Sequence, residues 1–425
     1  MNYEAICENE LIKMGDNKQK LLVLASTFPR TMEDTEPRFV YDLCLYLREW
    51  FDITVLVPSF PGAAKHENMN GLEVVRFRYT LNKHETLAYP GAIMSRIYEN
   101  PLRALLVPSF FLGMLCALKK LCKAEKFDVM HVHWFVPQGI LRGILSNKKY
   151  PPYLLTGHGG DVCSLNKGAM KKLKQLAVAK ASAVTVVSQY LQNVLLSDYT
   201  VAAPLTVCPM GCDLKSFNSK NAIAGFYKDN YNIDDMVILF VGRLAEKKGL
   251  CYLIEAMKLD PLANLPAHLV IVGDGPLKRD LMNQVQQLDL MNKITFVGSK
   301  THDELVAYYA SADIFCAPSI VARDGDQEGW SVVTLEAAAS GIPVVTTKRD
   351  TDRVIIDNET GIAVEQKSAQ ELSDAINMLL VSKETRERMG KAGAQYVTQF
   401  GWENISRKYA GILLSLVKNR KGDQY

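Results

Sequence analysis

The feature that most constrains this chain is an alternation that runs twice. Short apolar runs rich in β-branched residues recur as LLVLAS from Leu21, ITVLV from Ile53, LEVVRF from Leu72 and DVMHVHW from Asp128, then YLLTG from Tyr153, AVTVVS from Ala183 and LTVCPM from Leu205. Several are apolar at consecutive positions, as parallel strands buried on both faces are. Amphipathic runs such as FVYDLCLYLREW from Phe39 lie between them, so the segment reads as stacked β-α-β units. A polar break runs from Asp213 to Asp235, and the pattern then restarts with VILFVG at Val237, HLVIVG at His268, ITFVG at Ile294, DIFCAPS at Asp313 and PVVTT at Pro343.

The predicted class is α/β, with two Rossmann-like parallel-sheet domains. The expected organisation is an N-terminal extension (1–19), a first domain (20–212), a linker (213–235), a second domain (236–400) and a C-terminal segment (401–425). Ligands of open parallel sheets bind beyond the carboxyl ends of the strands. Two such sheets facing each other across a cleft would place those ends opposite one another.

Length and composition agree with two domains: 425 residues, 48% of them hydrophobic, suffice for two cores. They exclude a disulfide-stapled miniature and a disordered chain. The net charge of +3, from 49 basic and 46 acidic residues, lacks the basic excess of a nucleic-acid binder, so any anionic ligand must be held by local groups. The nine cysteines are irregularly spaced with no Cys-x-x-Cys, and read as reduced core thiols of a cytoplasmic protein. Cys208 and Cys212 flank Gly211 and read as two ordinary thiols in a turn. The first twenty residues carry no apolar run of signal-peptide type. The longest apolar stretch, Leu102 to Leu121, is broken by Arg103, Pro108, Ser109 and two lysines. It reads either as a buried helix with a basic end or as a patch in peripheral contact with a membrane.

Polar groups collect at the predicted strand ends. Arg243 and Lys248 bracket one short loop after VILFVG and offer a guanidinium fork and a compact ammonium to a diphosphate; solvated surface cations are the other reading. Gly273-Asp274-Gly275-Pro276 lacks the third glycine of a dinucleotide fingerprint, because Lys278 stands there, and reads as a tight turn that lets a ligand approach backbone. In the run from Glu328 through Gly329, Trp330 and Ser331 to Glu336, a helix is predicted from Ser331 onward, its first N–H groups suited to phosphate. Eight helical steps of about 1.5 Å would separate the glutamates by about 12 Å, comparable to the reach from ribose to hexose in a sugar nucleotide. Two surface glutamates are the alternative, against which the small-residue run Ala337 to Gly341 argues for close packing. Asp324-Gly325-Asp326 has the form of a metal-binding pair but also ordinary turn chemistry, and no metal is assigned to it.

In the first half, His158 sits between glycines at a strand end, where it can bond a sugar hydroxyl or polarise a reacting group; Asp161 can orient it or accept bonds from an acceptor. His131 and His133 share one strand face and read as a hydrogen-bonded strand end rather than a metal pair. Phe28, Pro29 and Arg30 follow the first strand in an acceptor-side loop.

In order and spacing these stretches resemble the retaining glycosyltransferases of family four, which have the GT-B fold. The matching pieces are Thr-Phe-Pro at Thr27, His-Gly-Gly-Asp at His158, Gly-Arg-x-x-x-Lys-Lys-Gly at Gly242, Gly-Asp-Gly-Pro at Gly273, Phe-Val-Gly at Phe296, Ala-Asp-Ile-Phe at Ala312, the Glu328/Glu336 pair and Ser-Gly-Ile-Pro-Val-Val at Ser340. The resemblance implies that Arg243 and Lys248 bind diphosphate and Glu336 the ribose hydroxyls. It further implies that Glu328 and the backbone after it contact donor sugar and phosphates, that the turn around Val297 lies against the base, and that His158 sits beside the reacting carbon. Trp402 to Leu416 would be a last helix that returns to the first domain. No metal or other cofactor is implied.

Thr27-Phe28-Pro29-Arg30 stands where the family often has a double glycine, as in members that build bacterial surface polysaccharides. Lys348 to Arg353 departs from the family's pattern and carries no site assignment. The activity implied is hexosyl transfer from a nucleotide sugar to a glycan or lipid-linked acceptor. The rivals are a sugar-nucleotide epimerase or phosphorylase of similar fold and an inactive nucleotide-sugar-binding subunit.

Overall fold

The computed structural model describes residues 18–89, 91, 93–145, 149–323, 325–348 and 354–422. The chain divides into two compact units: residues 1–210 with 402–425, and residues 211–401.

Unit 1 is built on an eight-stranded sheet of β1 (Gln19–Leu24), β2 (Phe51–Pro58), β3 (His66–Met69), β4 (Leu72–Phe77), β5 (Val129–His133), β6 (Tyr153–Gly157), β7 (Ala183–Val186) and β8 (Leu205–Val207), in the order β3-β4-β2-β1-β5-β6-β7-β8. All seven runs expected in this half are strands. β1 lies in the middle, and Leu21, Leu22, Val23 and Leu24 are fully buried, which is why its apolar positions are consecutive. β3 was not expected. Its sequence, HENM, is polar because it is an edge strand, and it pairs antiparallel with β4, the exception in an otherwise parallel sheet.

The helix Trp402–Gly422 belongs to unit 1, in line with the implied return of the last helix. Its Tyr409 hydroxyl donates to the Cys208 carbonyl at 2.8 Å, and Trp402 stacks on Tyr46 at 6.4 Å.

Unit 2 carries a six-stranded parallel sheet of β9 (Met236–Val241), β10 (Ala267–Val272), β11 (Ile294–Gly298), β12 (Ile314–Ala317), β13 (Val344–Thr347) and β14 (Gly361–Val364), in the order β11-β10-β9-β12-β13-β14. Alternate residues of the central strands enter two separate cores. Ile238, Phe240, Leu269 and Ile271 face one side, and Val237, Leu239, Val241, Val270 and Val272 face the other. The two-residue period thus survives inside an unbroken apolar run. β14 was missed; GIAV is only four residues long and emerges directly from the turn at Asn358.

The segment 213–235 is not a linker. It belongs to unit 2, where Phe217 and Tyr227 are buried in the core and the helix Phe226–Tyr231 forms. Tyr227 donates its hydroxyl to the Tyr308 carbonyl at 2.6 Å. Most of its exposed positions are polar, but its aromatic residues anchor it, and the polarity concealed them.

The thiols also need correcting. Cys44, Cys208, Cys212 and Cys316 are buried, Cys122, Cys163 and Cys251 are half-buried, and Cys116 is exposed, so not all are core thiols; no disulfide joins these eight, and Cys7 lies outside the described residues.

Candidate functional site

The polar groups of unit 2 gather where β9, β10 and β11 end. The three ends are laced through backbone: the Gly242 N–H donates to the Val272 carbonyl at 3.0 Å, Gly273 to Gly298 at 2.9 Å, and Leu244 to Asp274 at 2.9 Å. Glycine is required at position 273. Its φ is +138°, and a Cβ there would stand 2.0 Å from the Gly242 carbonyl oxygen. Asp274 pairs with Lys278 at 2.8 Å, and this ion pair holds its carboxyl below the usual range. The turn at Pro276 precedes the helix Lys278–Gln287 rather than forming its first turn. Val297 lies in β11 and is half-buried, next to the positive-φ Gly298.

The loop after β9 makes one turn over 246–248 and enters the helix Leu250–Ala256 through Gly249. The Lys248 side chain folds back over Gly242, and its Nζ donates to Glu328 Oε2 at 3.0 Å. Lys247 Nζ lies 3.7 Å from the other carboxylate oxygen of Glu328 and 3.1 Å from Asp326 Oδ2. Burial opposes the Lys247 charge, but Glu328 and Asp326 outweigh it and raise its pKa above the ordinary value, with Arg243 acting in the lowering direction. Arg243, Lys247, Lys248, Asp326 and Glu328 therefore form one cluster. Lys247 had no assignment from sequence, although it stands in the matching motif. Asp326, half of the Asp-x-Asp, is ion-paired to that lysine; Asp324 and residues 349–353 lie outside the described residues.

After Glu328 the buried Gly329 and half-buried Trp330 are not helical, and the helix is Val332–Ala339. The uniform helical rise expected between the glutamates therefore holds only for its second part. Trp330 packs edge-on against Phe400 at 5.2 Å. Ser331 is the N-cap residue, but its hydroxyl bonds Thr334 Oγ1 at 2.7 Å and makes no capping bond to backbone. Glu336 is buried in the body of this helix, where Tyr309 Oη donates to its Oε2 at 2.9 Å. Burial, and then Glu336, pushes the Tyr309 phenol well above its ordinary pKa, so it remains a donor. No signal in the sequence pointed to Tyr309.

Unit 1 has its own cluster at the ends of β5 and β6. Asp161 binds backbone: its Oδ1 accepts from the N–H groups of His158 and Gly159, both at 2.9 Å, and its Oδ2 accepts from Phe135 at 2.9 Å. It therefore fixes the turn that carries His158 rather than bonding the imidazole. Burial raises the Asp161 pKa against these donors. His158 Nε2 is 3.0 Å from His133 Nδ1, and its ring packs on Trp134 and Phe39. His131 Nε2 bonds Thr156 Oγ1 at 2.7 Å, and Thr156 bonds Thr185 at 2.6 Å. Burial depresses the pKa of all three histidines, to about 3 for His131 and His158, so each is a neutral hydrogen-bonding ring at neutral pH. No group of three or more ligating side chains suited to a metal occurs among the described residues.

The loop after β1 differs from its expected role. Phe28 is fully buried against Tyr41 at 5.6 Å, and Pro29 is buried with its carbonyl accepting from the Arg76 guanidinium at 2.9 Å. Arg30 is held by Asp34 through two bonds of 2.7 and 2.8 Å. Phe28 and Pro29 thus build the loop, and Arg30 is the residue of the three whose side chain retains partial exposure.

Comparison with known proteins places both halves of the chain. The model described as Glycosyltransferase Family 4 matches residues 37–216, and that described as Glycosyl transferases group 1 matches residues 226–396. The GDP-mannose-dependent alpha-(1-6)-phosphatidylinositol monomannoside mannosyltransferase of Mycobacterium tuberculosis is 32% identical over 54% of this chain and 61% of its own length. The amylovoran biosynthesis glycosyltransferase AmsK of Erwinia amylovora is 31% identical over 54% of this chain and 57% of its own. The chain therefore spans about three fifths of the length of these relatives. In fold, it matches the sucrose-phosphate synthase of Thermosynechococcus elongatus with a TM-score of 0.77 at 21% identity, covering 95% of this chain and 100% of that one. With one family model on each half and the GT-B architecture of two parallel α/β units, the chain belongs to the family four glycosyltransferases.

Proposed function

We propose that this protein transfers a hexosyl unit from a nucleotide sugar to a glycan or lipid-linked acceptor, with retention at the anomeric carbon and without a metal ion. The observation that carries the reading is the cluster at the end of β9, where Lys247 and Lys248 grip Glu328 beside Arg243.

The chemistry follows from donor counts. An ammonium has three N–H donors, and Lys248 spends one on Glu328. The rest, with the Arg243 fork, suit the oxygens of a diphosphate. As the glycosidic bond breaks, negative charge grows on the leaving phosphate, and fixed cations in a partly buried site stabilise it more than water would. In this reading Glu328 and the backbone of Gly329, Trp330 and Ser331 receive the sugar and phosphates. Glu336, held by Tyr309, accepts from the ribose hydroxyls, and Val297 and Gly273 border the base and phosphates. His158 bonds a sugar hydroxyl as a neutral ring, and Arg30 is the acceptor-side group. Because His158 is neutral, the charge needed by the leaving group comes from Arg243 and Lys248. The relatives named above are GDP-mannose-dependent in one case and belong to amylovoran biosynthesis in the other, which supports a nucleotide-sugar donor and a glycan or lipid-linked acceptor in bacterial surface assembly.

The test is a melting-temperature screen against GDP-mannose, UDP-glucose and ADP-glucose. A ligand at a hundredfold excess over Kd stabilises the native state by about 2.7 kcal/mol. One of the three is expected to raise the melting temperature and to be hydrolysed slowly without acceptor, with no epimer formed. No shift with any of them would sink the donor-site reading.

A further inference from the structure

Outside these clusters, unit 1 carries an apolar face that is left exposed among the described residues. The helix Val107–Ala124 follows the single turns at Pro101–Leu106. Phe110, Met114 and Leu118 recur every four residues and are buried, with the Phe110 ring 5.0 Å from Phe77 and 5.1 Å from Tyr79. At 3.6 residues per turn the opposite side carries Pro108, Leu112 and Cys116. A helix with one face in a core normally turns polar groups outward. Here Leu112 is 60% exposed, and Leu105 and Leu102 extend the strip at 78% and 71%. Tyr98 and Met94 of the neighbouring helix Ile93–Glu99 add to it.

Charge surrounds this strip on one sign. Lys119, Lys120 and Lys123 are exposed at the helix end, and Lys126 follows. Residues 93–126 hold six basic side chains and two acidic ones, against +3 for the whole protein. Both acids are paired, Glu99 with Arg96 and Arg103, and Glu125 with Lys20.

We infer that this face docks on an anionic lipid bilayer, with the leucine strip in the acyl boundary and the lysines on the headgroups. The stretch Pro101–Ala124 is long and apolar enough to span a membrane. Spanning, however, would pull Phe110, Met114 and Leu118 out of the core, so the helix lies in the plane of the surface. A second copy of the chain is a poorer occupant, because it would bring the same excess of positive charge. An open hollow bordered by Thr80, His84, Asn100 and Arg103 beside Leu102 and Leu105 puts polar groups next to apolar ones, as a headgroup boundary requires. The inference does not depend on donor binding or on the reaction.

The experiment is sedimentation of the full chain with vesicles of phosphatidylcholine alone, or with about one third phosphatidylglycerol. Binding is expected to be at least about tenfold stronger to the anionic vesicles. Leu105→Glu/Leu112→Glu and Lys119→Glu/Lys120→Glu/Lys123→Glu should each reduce it about tenfold or more, while circular dichroism and the melting temperature stay at wild-type values. The bound protein should be released by alkaline carbonate. Three results would overturn the inference: equal binding by wild type and variants, retention through carbonate, or a dimer abolished by Leu105→Glu/Leu112→Glu in a protein that ignores vesicles.

Discussion

Lys248 Nζ and Glu328 Oε2 lie 3.0 Å apart across 80 residues of sequence, and each side chain is only 12% exposed. The pair joins the loop after β9 to the loop before the helix Val332–Ala339. It orients the lysine that a diphosphate would need and fixes the Glu328 carboxylate beside Lys247. Lys248→Ala removes both effects, so kcat/KM for the donor should fall about a hundredfold, or about 2.7 kcal/mol of transition-state stabilisation. Lys248→Arg should retain part of the activity. Donor-turnover kinetics decide; a change of less than about twofold in Lys248→Ala would remove the lysine from the site.

The glycines at the strand ends test the scaffold. Gly249 has φ +63°, and a Cβ there would lie 1.9 Å from the Pro318 carbonyl oxygen; Gly298 has φ +75° with no atom within 4 Å. Both alanine variants incur the positive-φ penalty of about 1 kcal/mol. Only Gly249→Ala adds a backbone clash, so it should lose about 2 kcal/mol more than Gly298→Ala. Chemical unfolding of the two variants, followed by a probe in unit 2, makes the comparison; equal losses would show that the loop yields freely.

The histidine cluster makes unit 1 sensitive to acid. The unfolded imidazole titrates near 6.5, whereas burial holds native His131 near 3 and His133 well below its ordinary value. Between those values the unfolded chain binds more protons, so this contribution is complete above pH 6.5 and is lost as pH falls towards 3. Each buried ring contributes up to about 1.4 kcal/mol per pH unit in that window. Melting temperature should fall between pH 7.5 and 5, and fall less steeply in His131→Asn, which keeps a polar group near Thr156. The same slope in both proteins would assign the acid sensitivity elsewhere.

Much of this arrangement was legible in sequence because the signals were local. Gly273, Arg243, Lys248 and Glu328 stand at strand and helix ends that hydrophobic periodicity marks, and the chain reverses there for backbone reasons. Three kinds of information were not local. β3 is a polar edge strand whose pairing depends on β4. The segment 213–235 looks like a linker because most of its exposed residues are polar, while Phe217 and Tyr227 hold it in a core that a linear reading does not see. Phe28 and Pro29 occupy a loop that reads as a contact surface, yet the buried Arg76, bonded to the carbonyls of Pro29 and Arg30, turns it inward.

Tyr309 is the residue that only three dimensions could supply. It precedes Glu336 by 27 residues and donates to its Oε2 at 2.9 Å inside a core of Phe217 and Phe315. Tyr309→Phe keeps the ring and removes the donor, so packing changes little, while a buried carboxylate oxygen loses a partner. A net hydrogen bond of this kind contributes about 0.5–1.5 kcal/mol. If Glu336 holds ribose, the variant should raise the donor KM by about two- to tenfold and leave kcat within about twofold, because ribose binding is the same in ground and transition states. Glu336→Gln should raise KM further, and adding Tyr309→Phe to it should cost little more, since the two act through one bond. A fall in kcat at unchanged KM would place the Tyr309–Glu336 pair in the chemical step rather than in donor binding.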